Sequence, residues 1–362
     1  MNARVDATAL DWFDTNAGAL NRGNADAERV VPELGRRGLF RIGVPQALGG
    51  DGGDGFDAVE AIAAVAERSL SAAFVFWGQR TFIEFLLQTP NDTARERWLA
   101  ALLDGSFAGA SGLSNAMKFL SGIESLQIAA TPDRGRWQLD GTLPWVTNLR
   151  KAGFVVAAAV QRADATPMVV ALTDSQPGIS RSADLDLLAL RGSNTAAVAI
   201  EAASIGDDQI LHPDARSFCP QVRPAFLALQ LGMSIGLARI ALRSAGAQAK
   251  GAHALVIPRI DATSGELETL AAELRAGLAG GHFATRAAAL FRIRIRLAGI
   301  VQTALGLELD ATGGRAYLNA HNAGFARRWL EAAFIPVITP SLTQLQGELS
   351  KHAAPPAGTV TA

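Results

Sequence analysis

Several things are scarce in this chain, and each scarcity closes off a class of protein. One cysteine, Cys219, stands alone in 362 residues. No internal disulfide can form, which fits a reducing compartment, and no C-x-x-C element or paired spacing suggests structural zinc. A basic excess is also missing: 33 lysines and arginines face 34 aspartates and glutamates, for a net charge of −1. A general nucleic-acid binder needs such an excess to release phosphate counterions, so small molecules and other protein chains are the expected partners. No apolar run of transmembrane length is evident, and the first residues, with Asp6, Asp11 and Asp14, lack the charged-then-apolar pattern of a signal segment. A cytoplasmic protein that meets no membrane is the expectation. His212, His253, His282, His321 and His352 contain no i, i+4 pair that would hold a metal.

What is present is apolar and small. Apolar residues make up 49% and charged residues 19%, the balance of a globular chain too long for one small core. Alanine supplies much of that fraction, and small side chains let helices approach closely. From about Ala7 to Asp104 the apolar spacing is helical, broken by Gly49 to Gly55. Between about Phe107 and His212 short β-branched segments alternate with turn residues, among them Asp140-Gly141, a strong turn dipeptide. From about Val222 to Leu349 helix returns, with Phe226, Leu229, Met233, Leu237 and Ile240 on one stripe. Thr263 and Glu266 read as a capping box that starts a second helix. A third covers roughly Thr285 to Leu309 and places Arg292 and Arg296 on one face, a solvated or subunit-contact face rather than a phosphate site. The expected organisation is an all-α region over 1–106, a β domain over 107–213, a helical bundle over 214–352 and a disordered tail over 353–362.

The candidate chemistry is thin. The run Gly49 to Gly55 lacks the G-x-G-x-x-G frame of a dinucleotide fingerprint and occurs once, where a calcium-binding repeat needs several copies; a loop between helices explains it. Gly112-Leu-Ser114-Asn-Ala116 has the outline of a nucleophile elbow without a matching His and Asp. Arg328 and Glu331, three apart, read as a structural ion pair, and His253 and His321 as structural residues or as an acid or base in a pocket. Trp145 and Thr147 stand two apart on an extended segment, so their side chains share a side. They fit a core tryptophan beside a solvent-facing threonine, or an aromatic face and a hydroxyl laid against a flavin ring.

Four elements in order resemble the acyl-CoA dehydrogenases: Leu34-Gly35-Arg-Arg-Gly38-Leu39 with Val44-Pro45 and Gly49-Gly50-Asp-Gly52; Leu103-Asp-Gly105-Ser; Trp145-Val-Thr147-Asn148; and Leu190-Arg191-Gly192-Ser193-Asn194-Thr195. The resemblance covers roughly Ala27 to Glu348. It implies an α+β multidomain fold: an N-terminal helical domain, a middle β-barrel or sandwich domain and a C-terminal four-helix bundle. It further implies FAD between β domain and bundle, and a homotetramer or homodimer. It assigns Leu113, Ser114, Trp145, Thr147, Gly313, Gly314 and Gln344 to the cofactor site.

The departures are as informative. A dehydrogenase of this type needs a carboxylate to take a proton beside a thioester carbonyl. Where the family's catalytic Glu stands, this chain has Pro340, and the alternative position near Gln248 to His253 also lacks a carboxylate. The Arg-x-x-Phe-Gly element that holds the FAD pyrophosphate is replaced by residues 252–256, Ala-His-Ala-Leu-Val, and Asp310 stands for Gln before Gly313-Gly314. The family's Thr-Glu-Pro-x-Ala-Gly-Ser-Asp loop becomes Ser114 to Ser121 without its glycine. Loss of a charge-assisted phosphate contact costs about 1.5–3 kcal/mol, so FAD is expected to bind weakly, with FMN a possible replacement. Three readings follow: a flavin-dependent oxidoreductase acting on a small molecule, with an acyl-CoA among the candidates; a two-component flavin monooxygenase fed reduced flavin by a reductase; or a half-site subunit completed by a homologous partner.

Overall fold

A computed structural model describes residues 5, 7–24, 26–163 and 166–353. Among the described residues five α-helices come first: α1 (Asp11–Arg22), α2 (Val30–Arg36), α3 (Gly55–Ala66), α4 (Leu70–Gln88) and α5 (Asp92–Asp104). Their starts are chemically marked, because free N–H groups of a first turn need acceptors. Asp54 and Asp57 cap α3 reciprocally, at 2.9 and 3.0 Å. Ser69 and Asn91 accept from Ala72 and Ala94 at the starts of α4 and α5. The Gly49 to Gly55 run is the loop before α3.

Among the described residues eight strands follow, with one α-helix among them: β1 (Ala108–Ser111), α6 (Ser114–Leu120), β2 (Ile128–Asp133), β3 (Arg136–Val146), β4 (Phe154–Arg162), β5 (Met168–Thr173), β6 (Ile179–Arg181), β7 (Ala196–Ile205) and β8 (Ile210–His212). They form a mixed sheet in the order β6-β7-β3-β2-β4-β5-β8, with β1 parallel to β4 off that path. The expected turn at Asp140-Gly141 is corrected: β3 runs straight through it. The reversal comes earlier, at Arg134 and Gly135, both with positive φ between β2 and β3. Gly141 instead sits at a register shift against β7. A Cβ there would lie 2.3 Å from the Gln127 carbonyl, so the glycine serves close strand approach rather than reversal.

The third part is helical: α7 (Ala215–Gln248), α8 (Ile257–Ala279), α9 (His282–Thr285), α10 (Ala287–Thr312), α11 (Asn319–Ala332) and α12 (Leu342–Ala353). Helix α7 packs against α10, α3 and α4, and so ties the first and last parts of the chain together. Gly232 and Gly236 make that approach possible, because a Cβ at either would meet the Val59 or Ala63 carbonyl at 2.6 or 2.1 Å.

Several expectations change here. Helix α7 is, by length and composition, apolar enough to cross a membrane, contrary to the reading that no run is, yet 83% of that window is buried inside the protein. Helix α8 begins at Ile257, so Thr263 caps nothing: its hydroxyl donates back to the Arg259 carbonyl within the helix. Glu266 instead pairs with Arg296. Arg328 pairs with Glu308, and Glu331 takes Arg327 as its hydrogen-bonded partner, because residues four apart face one another more directly than those three apart here. The tail from 354 onward and the side chains of His321 and His352 lie outside the described residues. Cys219 is buried and its thiol is pushed up to about 12, chiefly by burial, so it stays protonated and inert.

Candidate functional site

A pocket of about 320 Å³ opens where the end of β3, the end of β1 with α6, the middle of α4 and the segment between α11 and α12 meet. Two of its walls differ in construction. The first carries Trp145 and Thr147. Trp145 keeps 48% of its surface exposed, although the body of β3 is sheet-paired, and lies 6.4 Å from Phe334 with the rings 16° from parallel. Thr147 is buried at 6%, and its hydroxyl meets that of Thr195 at 2.5 Å, which in turn meets Ser193 at 2.7 Å. The turn Leu190 to Thr195, singled out from sequence, thus braces the Trp145 segment from behind.

A second brace comes from α4. Gln79, fully buried, accepts from the Gly109 N–H at 2.7 Å and donates to the Leu102 and Phe107 carbonyls at 3.0 and 2.9 Å. Its carbonyl oxygen also accepts from the Asn148 amide at 2.9 Å, and that amide donates to the Gly109 carbonyl at 2.8 Å. Asn148 sits at φ 65°, a left-handed conformation that asparagine tolerates better than most residues. This neutral network is nearly complete, and it fixes where Trp145 and Thr147 point.

The other wall is the segment from Phe334 to Thr339. Phe334, Val337, Ile338 and Thr339 line the pocket, and Pro340 follows directly. Behind them stands Arg294, 1% exposed. Its Nη2 donates to the Ile335 carbonyl at 2.5 Å and its Nε to the Gln230 side-chain oxygen at 2.8 Å; Gln230 donates onward to the Thr339 carbonyl at 3.1 Å. Among the described residues Arg294 Nη1 has no partner. Burial alone draws its ionisation down to about 10, so it remains charged near neutrality.

Titratable groups on the lining are few. Lys118 Nζ lies 3.3 Å from Glu124, whose other oxygen accepts from Asn115 at 2.8 Å. Both carboxylate oxygens are therefore engaged. Ser111 Oγ is buried in the wall with no partner among the described residues. Among the described residues no histidine lines the pocket, so although a strand, a turn and a helix do surround Ser114, no such base accompanies it there.

Of the seven residues that the sequence assigned to a cofactor, Ser114, Trp145 and Thr147 line this pocket. Leu113 is a fully buried core residue just before α6. Gly313 and Gly314 end α10, where Gly313 backs onto His253, and His253 bonds the Asp310 carbonyl at 2.9 Å. Gln344 caps α12: its side chain accepts from the Ser341 N–H at 2.6 Å. The expected flavin-binding loop at Ser114 to Ser121 is mostly helix α6, because without its Pro and Gly the segment Ser-Asn-Ala-Met-Lys-Phe-Leu favours a helical turn. Gln79, Arg294 and Gln230 escaped the sequence reading. A polar Gln79-Arg80-Thr81 inside the apolar run Leu70 to Leu87 was the available signal for the first.

The comparisons with known proteins agree with this architecture. Residues 5–106 match the acyl-CoA dehydrogenase N-terminal domain. Mitochondrial isovaleryl-CoA dehydrogenase of Pongo abelii is 26% identical over 185 residues, which are 49% of this chain and 44% of that protein, so the match spans less than half of the relative. Butyryl-CoA dehydrogenase from Megasphaera elsdenii superposes with a TM-score of 0.80 at 17% identity, over 96% of both chains. KijD3 in complex with FMN and a dTDP-linked amino sugar gives 0.80 at 21% identity, over 96% of this chain and 91% of that one. Dibenzothiophene monooxygenase from Paenibacillus sp. A11-2 gives 0.74 at 16%, over 98% of both. The chain therefore has the acyl-CoA dehydrogenase fold. Its residues 5–106 are similar to the acyl-CoA dehydrogenase N-terminal domain, and a monooxygenase shares its architecture.

Whether a flavin suits these residues has a different answer at each end of the cofactor. A planar apolar ring suits the half-exposed face of Trp145, and the unpartnered Ser111 hydroxyl with Ser114 and Thr147 offers the few polar contacts that such a ring needs. A pyrophosphate finds no comparable cradle on the pocket lining, where the cation Lys118 already faces Glu124.

Proposed function

We propose that the pocket holds a flavin ring against Trp145 and Thr147, and that the protein is a flavin-dependent oxidoreductase working without a carboxylate base. The observation that carries this is the make-up of the lining: its carboxylate, Glu124, spends both oxygens on Lys118 and Asn115. The segment beside Pro340, where the resemblance implies a proton acceptor, presents Val337, Ile338 and Thr339. Abstraction of a proton beside a thioester needs a free base within hydrogen-bond reach.

A monooxygenase using reduced flavin fits these walls better than a dehydrogenase. In that chemistry the flavin, when bound, activates O2, and what the chain contributes is binding, orientation and exclusion of water. Trp145 and Phe334 supply an apolar frame; Thr147, held by Thr195, offers one polar contact at a fixed place. A pocket without a pyrophosphate cradle suits a flavin that arrives and leaves, whether FAD or FMN.

Titration of the purified chain with oxidised and reduced FAD and FMN separates the readings. Tighter binding of the reduced form, with O2-dependent oxygenation of a substrate, is the expected result. A protein that purifies with tightly held FAD and is bleached by an acyl-CoA would overturn it in favour of dehydrogenation. Flavin binding seen only when a second, homologous chain is present would identify a half-site subunit.

A further inference from the structure

Arg294 is an unusual way to support a pocket wall. It donates to the Ile335 carbonyl and, through Gln230, fixes the Thr339 carbonyl, so it braces both ends of the lining segment. Neutral side chains could make the same bonds. A guanidinium buried to 1% exposure carries a desolvation penalty that an ion pair would offset, yet no carboxylate pairs with Arg294 among the described residues. The nearby cations differ: Arg327 faces Glu331, Arg328 faces Glu308, and Lys118 faces Glu124. The positive charge of Arg294 is thus left uncompensated directly behind the segment that lines the pocket. In a medium of low dielectric such a charge acts through a layer of side chains with little screening.

The flavin ring changes charge with its redox state. Oxidised, it is neutral; fully reduced, it loses the N1 proton near neutral pH and carries a negative charge. We infer that Arg294 is a positioning residue of the pocket whose uncompensated charge makes the site prefer reduced, anionic flavin over the oxidised form. The inference rests on the flavin reading above and deepens it: the site would take up reduced flavin and release it once oxidised.

The test is anaerobic titration of the full chain with oxidised and with dithionite-reduced FMN, giving a ratio of dissociation constants. The wild-type protein binds the reduced form more tightly. In Arg294→Met that preference falls about tenfold, the order expected for one charge acting at an effective dielectric of about 20, which for a two-electron couple lowers the bound potential by about 30 mV. Arg294→Lys keeps the preference, because it keeps the charge. Gln230→Leu loosens the wall, so both affinities fall together and the ratio holds. Gln230→Glu neutralises Arg294 in place and lowers the ratio as Arg294→Met does, which keeps the question answerable if the methionine variant does not fold. A ratio unchanged in Arg294→Met or in Gln230→Glu overturns the inference while leaving the flavin reading standing. Failure of the wild-type protein to bind either form overturns both.

Discussion

The two walls of the pocket solve one problem by opposite means. The Trp145 wall is held by neutral groups, Gln79, Asn148, Thr195 and Ser193, whose hydrogen bonds nearly all find partners. The opposite wall, from Phe334 to Thr339, is held by a charge, Arg294, with no carboxylate partner among the described residues; a second buried titratable group, Glu331, stands one turn before the segment. A neutral network adds stability through satisfied bonds, whereas buried charge commonly reduces it. Stability and site electrostatics have therefore been assigned to different sides of the cleft, and substitutions should separate them.

The largest effect belongs to the neutral wall. Gln79→Leu keeps the volume but strips partners from the Gly109 N–H, the Leu102 and Phe107 carbonyls and the Asn148 amide. At about 1–3 kcal/mol for each buried group left unsatisfied, and with some relaxation, a loss of about 3–5 kcal/mol is expected. Urea unfolding measures it, and a change below about 1 kcal/mol would dissolve the contrast between the walls.

Next comes Glu331, with the opposite sign. Burial, only partly offset by Arg327, raises its carboxyl from an ordinary 4.5 to about 7. A carboxyl whose folded value lies above its unfolded one binds its proton more tightly when folded. The favourable contribution is full below about pH 4.5 and is lost as pH rises through 7. Stability should thus decline by about 2–3 kcal/mol between pH 5 and 8 on account of this group. Glu331→Gln should flatten that decline and stabilise the protein at pH 8. An unchanged pH profile in the variant would remove Glu331 from the account.

Smaller still is Trp145→Ala. With half its surface exposed, the ring contributes little to folding. Loss of an aromatic stacking face is worth about 0.5–1.5 kcal/mol, so flavin affinity should fall about two- to tenfold while the urea midpoint barely moves. Affinity equal to wild type would remove Trp145 from the flavin site; its half-exposed ring and the buried Thr147 already reverse the core-tryptophan, solvent-facing-threonine alternative.

What was legible in the sequence follows from the range of the interactions involved. Helical and strand periods are local, so the order helix, strand, helix could be read, and Trp145, Thr147 and the Ser193 turn lie in contiguous motifs. The reading that Pro340 stands where the resemblance puts a base was equally local. The bracing was not legible: Gln79 reaches Asn148 across 69 positions and Arg294 reaches Ile335 across 41. Spacing rules compare residues within a few turns and carry no information about such pairs. Asp140-Gly141 and Thr263 misled for the complementary reason, since good turn and cap chemistry was overridden by sheet pairing and by an upstream helix start.

The smallest expected stability effect is the most discriminating. Arg294→Met surrenders bonds to the Ile335 carbonyl and to Gln230, which argues for destabilisation; it also relieves a buried guanidinium whose Nη1 has no partner. Replacement of buried charge by an apolar chain of similar volume is often neutral or stabilising, so the two should nearly cancel, leaving a net change within about 1 kcal/mol. Were Arg294 simply a structural brace like Gln79, the same substitution would cost about as much as Gln79→Leu, and the two urea midpoints would fall together. A midpoint that stays near wild type, while the preference for reduced flavin drops, is the combination that only an electrostatic role predicts. The charged wall would then owe its retention to the ligand state it selects, since folding gains nothing from it.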